Sequence, residues 1–421
     1  MIADNNVLKA LLNFNFEKKW VIADHLSAWF FKITIYISLI KFLDTSQYGE
    51  YYKYLSLIIL FSWVVSPLLI QSSLRLYLDY KDEISRSFIK NFMHLYFLAL
   101  VALLLLLLIL ILSFNIHSNS SLITILILLA MTQVYMNVYR ELVNLNRHRK
   151  KYAISHFIGD LIKLGLILFF LSQQFPIELV FLSIIISDFI QIYLLRKYFI
   201  FTNNLNIPAA KKKAIIKKIL TLGWPLMLLA LVGWVSQYSD RYLIEFYLGL
   251  GDTGKYLAAL HIVQIPFNAL VTIFTVYYAP IIYKARTSKH RVKLLDFYNI
   301  TLMKAILTLF FVSSIFIVLT HDYFFLLFGA FTLDIWSYLL VLISTIFFSL
   351  FTRNAFCFLA LKDTKTFFIV GLISSILTLI IYILALSILG FIGSFLALIL
   401  SKAISFLISN VFLKASKLKY L

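Results

Sequence analysis

The sequence predicts an all-α polytopic membrane protein, with twelve transmembrane helices arranged as two six-helix bundles. Three observations predict it. The chain is 62% hydrophobic and only 14% charged, whereas a soluble domain is roughly 45–50% apolar and about 25% charged. Apolar runs of about 20 residues, the length that crosses a bilayer, recur along the whole chain. The Lys and Arg residues fall almost entirely on one side of the spans so defined.

Taken in order, the spans lie at 20–43, 51–74, 91–113, 121–145, 152–172, 177–197, 219–248, 256–283, 299–320, 335–360, 366–386 and 390–413. The third contains 99–112, apolar on every side, as a lipid-facing helix requires. The seventh is interrupted near its far end by Asp240, Arg241 and Glu245. It closes on the glycine-rich turn 249–254 before Tyr256 opens the eighth. With both termini cytoplasmic, 28 of the 38 Lys and Arg residues lie in the termini and inner loops, counting Arg196 and Lys197 at the inner end of span six. The other side holds Lys41, Lys53 and Lys255, and seven lie inside spans. That asymmetry supports both the span count and the orientation. The outer loops are short, which excludes an extracytoplasmic domain.

Residues 1–19 carry Lys9, Lys18 and Lys19 but no separate apolar core with a small-residue cleavage site, so no cleavable signal peptide is expected. A single cysteine, Cys357, excludes an intrachain disulfide. A net charge of +19 on a soluble chain would suggest nucleic acid. Here topology accounts for it, and nucleic acid is not an expected partner.

The chain divides near its midpoint. Residues 1–198 form the first bundle, 199–218 a basic cytoplasmic linker, and 219–421 the second bundle. The linker holds Lys211-Lys212-Lys213 and Lys217-Lys218. It reads as a topology signal or as a helix at the surface of anionic membrane lipids. An internal repeat supports the division. Gly49-Glu50-Tyr51 follows the first span and Gly254-Lys255-Tyr256 follows the seventh, 205 residues apart. Arg140 in span four has a counterpart, Arg353, in span ten. Two halves of equal topology imply a parallel repeat about the membrane normal, with a site at their interface.

Charges inside spans are functional candidates by default. Lys32 and Lys402 are central in spans one and twelve, Asp160 and Lys163 in span five, and Asp188 in span six. Arg140, Arg241 and Arg353 lie off-centre. Lys163 should sit at the depth of Asp188, so a Lys163–Asp188 or a Lys163–Asp160 ion pair satisfies it. Asp240 and Arg241 are adjacent and point about 100° apart on a helix, so they do not pair directly. One of them is free to hold a neighbouring helix. Arg140 and Arg353 are either substrate contacts or anchors near lipid headgroups. The cations left over need a reason to be in the bilayer, and an anionic substrate supplies one. A diphosphate accepts several charge-assisted hydrogen bonds from Lys and Arg. Lys32, Arg140, Arg241, Arg353 and Lys402 are therefore the candidate substrate-binding set of a cationic cavity. Asp160, Lys163, Asp188 and Asp240 are the candidate coupling or ion-pair set. Asp24, Asp160, Asp188 and Asp240 are candidates for relaying a proton.

Two stretches carry a family resemblance. One is Phe42-Leu43-Asp44 through Tyr48-Gly49-Glu50-Tyr51. The other runs Gly223-Trp224-Pro225, Tyr238-Ser239-Asp240-Arg241-Tyr242 and Gly254-Lys255-Tyr256, with Tyr277-Tyr278-Ala279-Pro280 beyond it. In this ordered set the chain resembles the polysaccharide-exporter branch of the multidrug/oligosaccharidyl-lipid/polysaccharide (MOP) transporter superfamily, and O-antigen and capsule repeat-unit flippases within it. The resemblance implies two six-helix bundles around a central V-shaped cavity, and alternating access. It implies an undecaprenyl-diphosphate-linked oligosaccharide moved from the cytoplasmic to the outer leaflet of a bacterial inner membrane, with glycan polymerase and chain-length machinery as partners.

Two other classes compete. A drug/cation antiporter on the same fold should show an acidic pocket, but here cations are in excess. A polymerase or ligase is expected to carry a large outer loop, and none is seen. No metal-ligand cluster, nucleotide loop or triad spacing stands out, so neither cofactor nor catalytic role is expected.

Overall fold

The structure is a computed structural model. It describes residues 16–65, 70, 72–80, 85–89, 91–92, 120–145, 148–196, 208–283, 288–361 and 363–418. Among these residues the architecture is helical, without strands. The helices are α1 (Phe16–Phe42), α2 (Thr45–Val65), α3 (Ser72–Asp79), α4 (Ser120–Leu145), α5 (Arg149–Ser172), α6 (Ile177–Arg196), α7 (Ala209–Leu248) and α8 (Leu250–Tyr283). After them come α9 (Ser288–Phe328), a single 3₁₀ turn (Gly329–Phe331), α10 (Ile335–Leu361) and α11 (Thr364–Leu418). Every predicted span overlaps one of these helices except 91–113, of which only 91–92 fall among the described residues. Eight helices among the described residues are long and apolar enough to cross a membrane.

Spans eleven and twelve appear as one 55-residue helix, α11, interrupted at Gly390. Gly390 adopts φ 56°, which an L side chain rarely tolerates. α7 also runs longer than predicted. Its 40 residues extend about 60 Å, twice the hydrocarbon thickness. The linker lysines therefore belong to the same helix as span seven. Ile215 and Ile219 are buried while Lys211, Lys213, Lys217 and Lys218 are exposed, so this end of α7 is amphipathic. Pro225 has no N–H to offer the carbonyl of Thr221. On α9, Phe311, Val312, Ile315, Phe316 and Leu319 are all exposed. So large an apolar surface belongs against lipid.

Helix starts are capped by carboxylates. Asp44 Oδ1 accepts from the Gln47 backbone N–H at 2.8 Å, while Gln47 Oε1 accepts from the Asp44 N–H at 3.2 Å. This reciprocal box satisfies two orphan donors at the start of α2. Asp334 and Asp363 perform the single-sided version for α10 and α11.

The residues fall into two compact units. Unit 1 lies within 1–34, 69–170 and 178–220, and unit 2 within 35–68, 171–177 and 221–421. Inside unit 2, α2 and α8 cross at the two glycines that the 205-residue offset equates. A Cβ on Gly254 would lie 1.8 Å from the Thr45 carbonyl oxygen, and one on Gly49 2.5 Å from the Leu250 carbonyl oxygen. Each glycine thus sits over the carbonyl four residues before the other. Only hydrogen side chains permit backbones this close.

Gly254→Ala must therefore push two backbones apart. It is expected to cost at least about 3 kcal/mol, the upper end of the overpacking range. Gly165→Ala is the control, because a Cβ there meets nothing within 4 Å. It should be neutral or raise stability by about 0.5–1 kcal/mol. Thermal unfolding of the two purified variants in detergent checks both, and equal melting temperatures would contradict the crossing.

Candidate functional site

In unit 2, α7 is stitched to α2 by polar groups at the depth where the family-like residues fall. Arg241 is buried, and its Nη1 donates to the Tyr52 carbonyl at 3.0 Å. Its guanidinium lies over the Tyr238 ring, 4.6 Å from the centroid. Trp234 Nε1 donates to the Ser56 carbonyl at 2.8 Å, and the Tyr242 and Ser56 hydroxyls bond at 2.8 Å. Lys53 and Glu245 pair at 2.7 Å. These groups sit at intervals of three or four along α7, so one face of the helix carries the whole seam.

Asp240 points elsewhere. Its Oδ1 accepts from the Arg241 backbone N–H at 2.9 Å, and its Oδ2 accepts from the Tyr256 hydroxyl at 2.8 Å. Tyr256 has then given up its proton donor, so the Tyr382 hydroxyl donates to it across 2.9 Å. This carboxylate–tyrosine–tyrosine chain joins α7, α8 and α11, and all three side chains are buried. Lys402 is buried beside it and interacts electrostatically with Asp240. Its ammonium donates to the Ser236 carbonyl at 2.9 Å and lies 5.6 Å from the Phe348 ring centroid.

Arg353 is the third buried cation of unit 2. Its Nε and Nη2 both donate to Asn354 Oδ1, at 3.3 and 3.0 Å. Asn354 Nδ2 in turn donates to Ser409 at 2.9 Å. Ser409 lies seven residues beyond Lys402 on α11, about 10 Å along the axis. Among the described residues, no carboxylate lies within 4 Å of Arg241, Arg353 or Lys402. Carbonyls, an amide and aromatic faces solvate them instead. Such partners hold a cation without cancelling its charge.

Unit 1 is built on the opposite plan. Of the two pairings open to Lys163, Asp160 takes it, at 2.5 Å. Asp188 accepts from Gln133 at 2.7 Å and Thr132 at 3.3 Å, and feels both Lys163 and Asp160 electrostatically. His156 Nδ1 lies 2.7 Å from Asp24 and its Nε2 lies 3.6 Å from Asp160. Lys32 and Arg140, also in unit 1, are exposed.

The predicted substrate set is thus distributed. Arg241, Arg353 and Lys402 belong to unit 2, and Lys32 and Arg140 to unit 1. Sequence reasoning named Tyr256 only as a motif residue and passed over His156, Tyr382 and Asn354. For His156 a signal existed. His156, Asp160 and Lys163 stand at i, i+4 and i+7, one face of a helix inside an apolar run. Cys357 is buried and unbridged, near Asn299.

The fold defines the class of protein. The structure matches an inward-facing multidrug resistance MATE family transporter of the MOP superfamily, with TM-score 0.70 and 12% identity, covering 98% of each chain. It matches lipid II flippase MurJ in an inward closed conformation equally well, with TM-score 0.70 and 17% identity over 95% of this chain and 89% of that one. A MOP superfamily transporter from Pyrococcus furiosus follows at 0.61 and 11% identity, over 95% of each chain. Among curated proteins the sequence finds no match. The polysaccharide biosynthesis protein family profile matches residues 22–286. The chain belongs to that family, as the resemblance in its motifs anticipated, and it is a multi-pass membrane protein with the fold of MOP superfamily transporters.

The unit 2 geometry makes unequal demands on its members. Asp240→Ala removes the acceptor of Tyr256 and the negative charge beside Lys402. It should cost about 1.5–3 kcal/mol, the worth of a hydrogen bond to a buried charged group. Tyr382→Phe removes one hydrogen bond and should cost about 1 kcal/mol. Resistance to unfolding by sodium dodecyl sulfate ranks the two, and a Tyr382→Phe variant as weak as Asp240→Ala would contradict the arrangement.

Proposed function

We propose that this chain is a flippase for polyprenyl-diphosphate-linked oligosaccharides. It carries undecaprenyl-diphosphate-linked repeat units, of the O-antigen or capsule kind, from the cytoplasmic to the outer leaflet of a bacterial inner membrane. Transport is by alternating access, with both termini cytoplasmic. The observation that carries this reading is the set of buried cations in unit 2, Arg241, Arg353 and Lys402, with no carboxylate within 4 Å among the described residues. An apolar protein interior holding Arg241, Arg353 and Lys402 through hydrogen bonds to neutral groups is suited to a passing anion. Lys32 and Arg140 of unit 1 are exposed cations as well.

Family membership supports a glycan-related cargo, and the likeness to a lipid II flippase supports a lipid-linked one. A diphosphate carries the charge density that lysine and arginine recognise. The equal likeness to a multidrug resistance transporter keeps a drug/cation antiporter as the second reading. A cationic drug gains nothing from three buried positive charges, and repulsion across about 4–8 Å inside a protein is several kcal/mol at an effective dielectric near 20.

In a strain lacking this gene, the wild-type gene should restore surface glycan. Arg353→Gln should insert normally yet reduce surface glycan by about 10–100-fold, the worth of one or two charge-assisted hydrogen bonds. Lipid-linked repeat units should accumulate on the cytoplasmic leaflet, and Arg353→Lys should fall between. Wild-type glycan in Arg353→Gln would remove this cation from the substrate path. Drug efflux with no effect on glycan would favour the second reading.

A further inference from the structure

We propose that the outward face of α7 formed by Lys213, Lys217, Leu220 and Trp224 is a binding site for anionic phospholipid headgroups, in the leaflet on the side of the lysine- and arginine-rich loops. This site does not depend on the transport reading above.

The four residues follow one another at steps of four, three and four, so on a helix they form a single stripe. Lys213 and Lys217 are exposed, Leu220 is 40% exposed and Trp224 56%. Leu231, five turns on from Lys213, continues the stripe and is 41% exposed. The opposite face carries Ile215, Ile219 and Gly223 at steps of four, all buried. α7 thus packs on one side and stays open on the other as it passes from lysine to tryptophan to leucine. That gradient is the profile of a lipid interface. Tryptophan rings settle at headgroup level, hydrocarbon begins below them, and cations stand outside. Lys217 lies about 10 Å from Trp224 along the axis, and Lys213 about 16 Å. A headgroup layer is about 5–7 Å thick, and a lysine stem bends toward it.

α6, in the same compact unit as the lysine end of α7, shows the same order in reverse. It runs toward the basic side and presents Tyr193, 60% exposed, then Arg196, also exposed. The Arg196 guanidinium lies 4.1 Å from the Tyr193 ring centroid. Successive spans that cross one headgroup layer in opposite directions must present aromatic ring and cation in opposite sequence order.

The charge on this face is open to a ligand. Between Asp188 and Asp240 the sequence has no acidic residue and seven Lys and Arg. Among the described residues neither Lys213 nor Lys217 is in an ion pair. A face turned only to water ordinarily intersperses both signs. Like charges four residues apart on a helix repel. Lys211 and Lys212 stand in the first turn of α7, where the helix dipole disfavours cations. A bound phosphate offsets both effects, and Lys213 and Lys217, about 6 Å apart, are spaced to share one. Phosphatidylglycerol carries its phosphate in the layer where Trp224 sets the stripe. Each lysine near an anionic surface contributes about 5-fold in affinity.

The test uses the full-length protein in vesicles of phosphatidylcholine and phosphatidylglycerol, with one or the other lipid brominated to quench nearby tryptophan. The chain has six tryptophans, so the share of Trp224 is the difference between wild type and Trp224→Phe. At low salt, brominated phosphatidylglycerol should quench that share with an association constant at least about 10-fold above that of brominated phosphatidylcholine. Lys213→Gln/Lys217→Gln should cut this preference at least about 5-fold. Its quenching by brominated phosphatidylcholine should persist, which shows the helix still inserted. Lys213→Arg/Lys217→Arg should keep the preference, and about 1 M salt should remove it from wild type without any substitution. Equal quenching by the two lipids in wild type, as lysines that only orient the chain would give, overturns the site. So does a preference that the glutamine pair leaves intact or the arginine pair loses. A preference abolished by one undecaprenyl diphosphate per protein would give the face to the cargo, and would overturn this proposal while leaving the transport reading in place.

Discussion

A charged side chain in the middle of a bilayer costs about 2.5–3.5 kcal/mol on insertion scales. That cost is the constraint around which this structure is arranged. Hydrocarbon offers no solvent, so each charge must be solvated by the protein itself. Unit 1 does so by pairing opposite charges, with Asp24, His156, Asp160 and Lys163 in series. Unit 2 does so with neutral groups. Arg241 takes the Tyr52 carbonyl, Lys402 the Ser236 carbonyl, and Arg353 the Asn354 amide. The two solutions differ in what they leave over. Pairing leaves a set close to neutral. Neutral partners leave positive charge in place for a ligand.

The same constraint explains why unit 2 is so tightly tied. A cation held by backbone carbonyls is only as well placed as the helices that own them. α2 is fixed to α7 by the Arg241, Trp234 and Tyr242 bonds and to α8 by the reciprocal glycine crossing. The capping box at Asp44 and Gln47 starts α2 at the register that brings Thr45 and Gly49 onto the α8 backbone. Many of the residues that carry the family resemblance are therefore architectural here. Asp44 caps, Gly49 and Gly254 permit close approach, and Arg241 and Tyr242 stitch. The buried Asp240–Tyr256–Tyr382 chain ties the third side of the same unit.

Much of this was legible in the chain. Span positions follow from the length of apolar runs, because bilayer thickness sets a minimum that composition reveals. The Gly49 and Gly254 equivalence was visible as spacing, and the structure puts those two residues in contact. The Lys163 pairing was narrowed to two carboxylates by helix geometry alone. Other features left no trace. Arg241 binds a backbone carbonyl, and every residue has one, so Tyr52 could not be singled out. Asp24 and His156 are 132 residues apart, and only the fold brings α1 against α5. The continuity of α7 through the lysine-rich linker was hidden because a helix leaving the membrane changes hydropathy without changing conformation.

The most direct test of the account is which charge stabilises the purified protein. The chain in nanodiscs is melted with undecaprenyl diphosphate, and separately with ethidium as a cationic probe. Buried cations without carboxylate partners predict that the diphosphate lipid raises the melting temperature, that the rise is lost in Arg353→Gln, and that ethidium leaves it unchanged. Stabilisation by ethidium and none by the diphosphate would contradict the account.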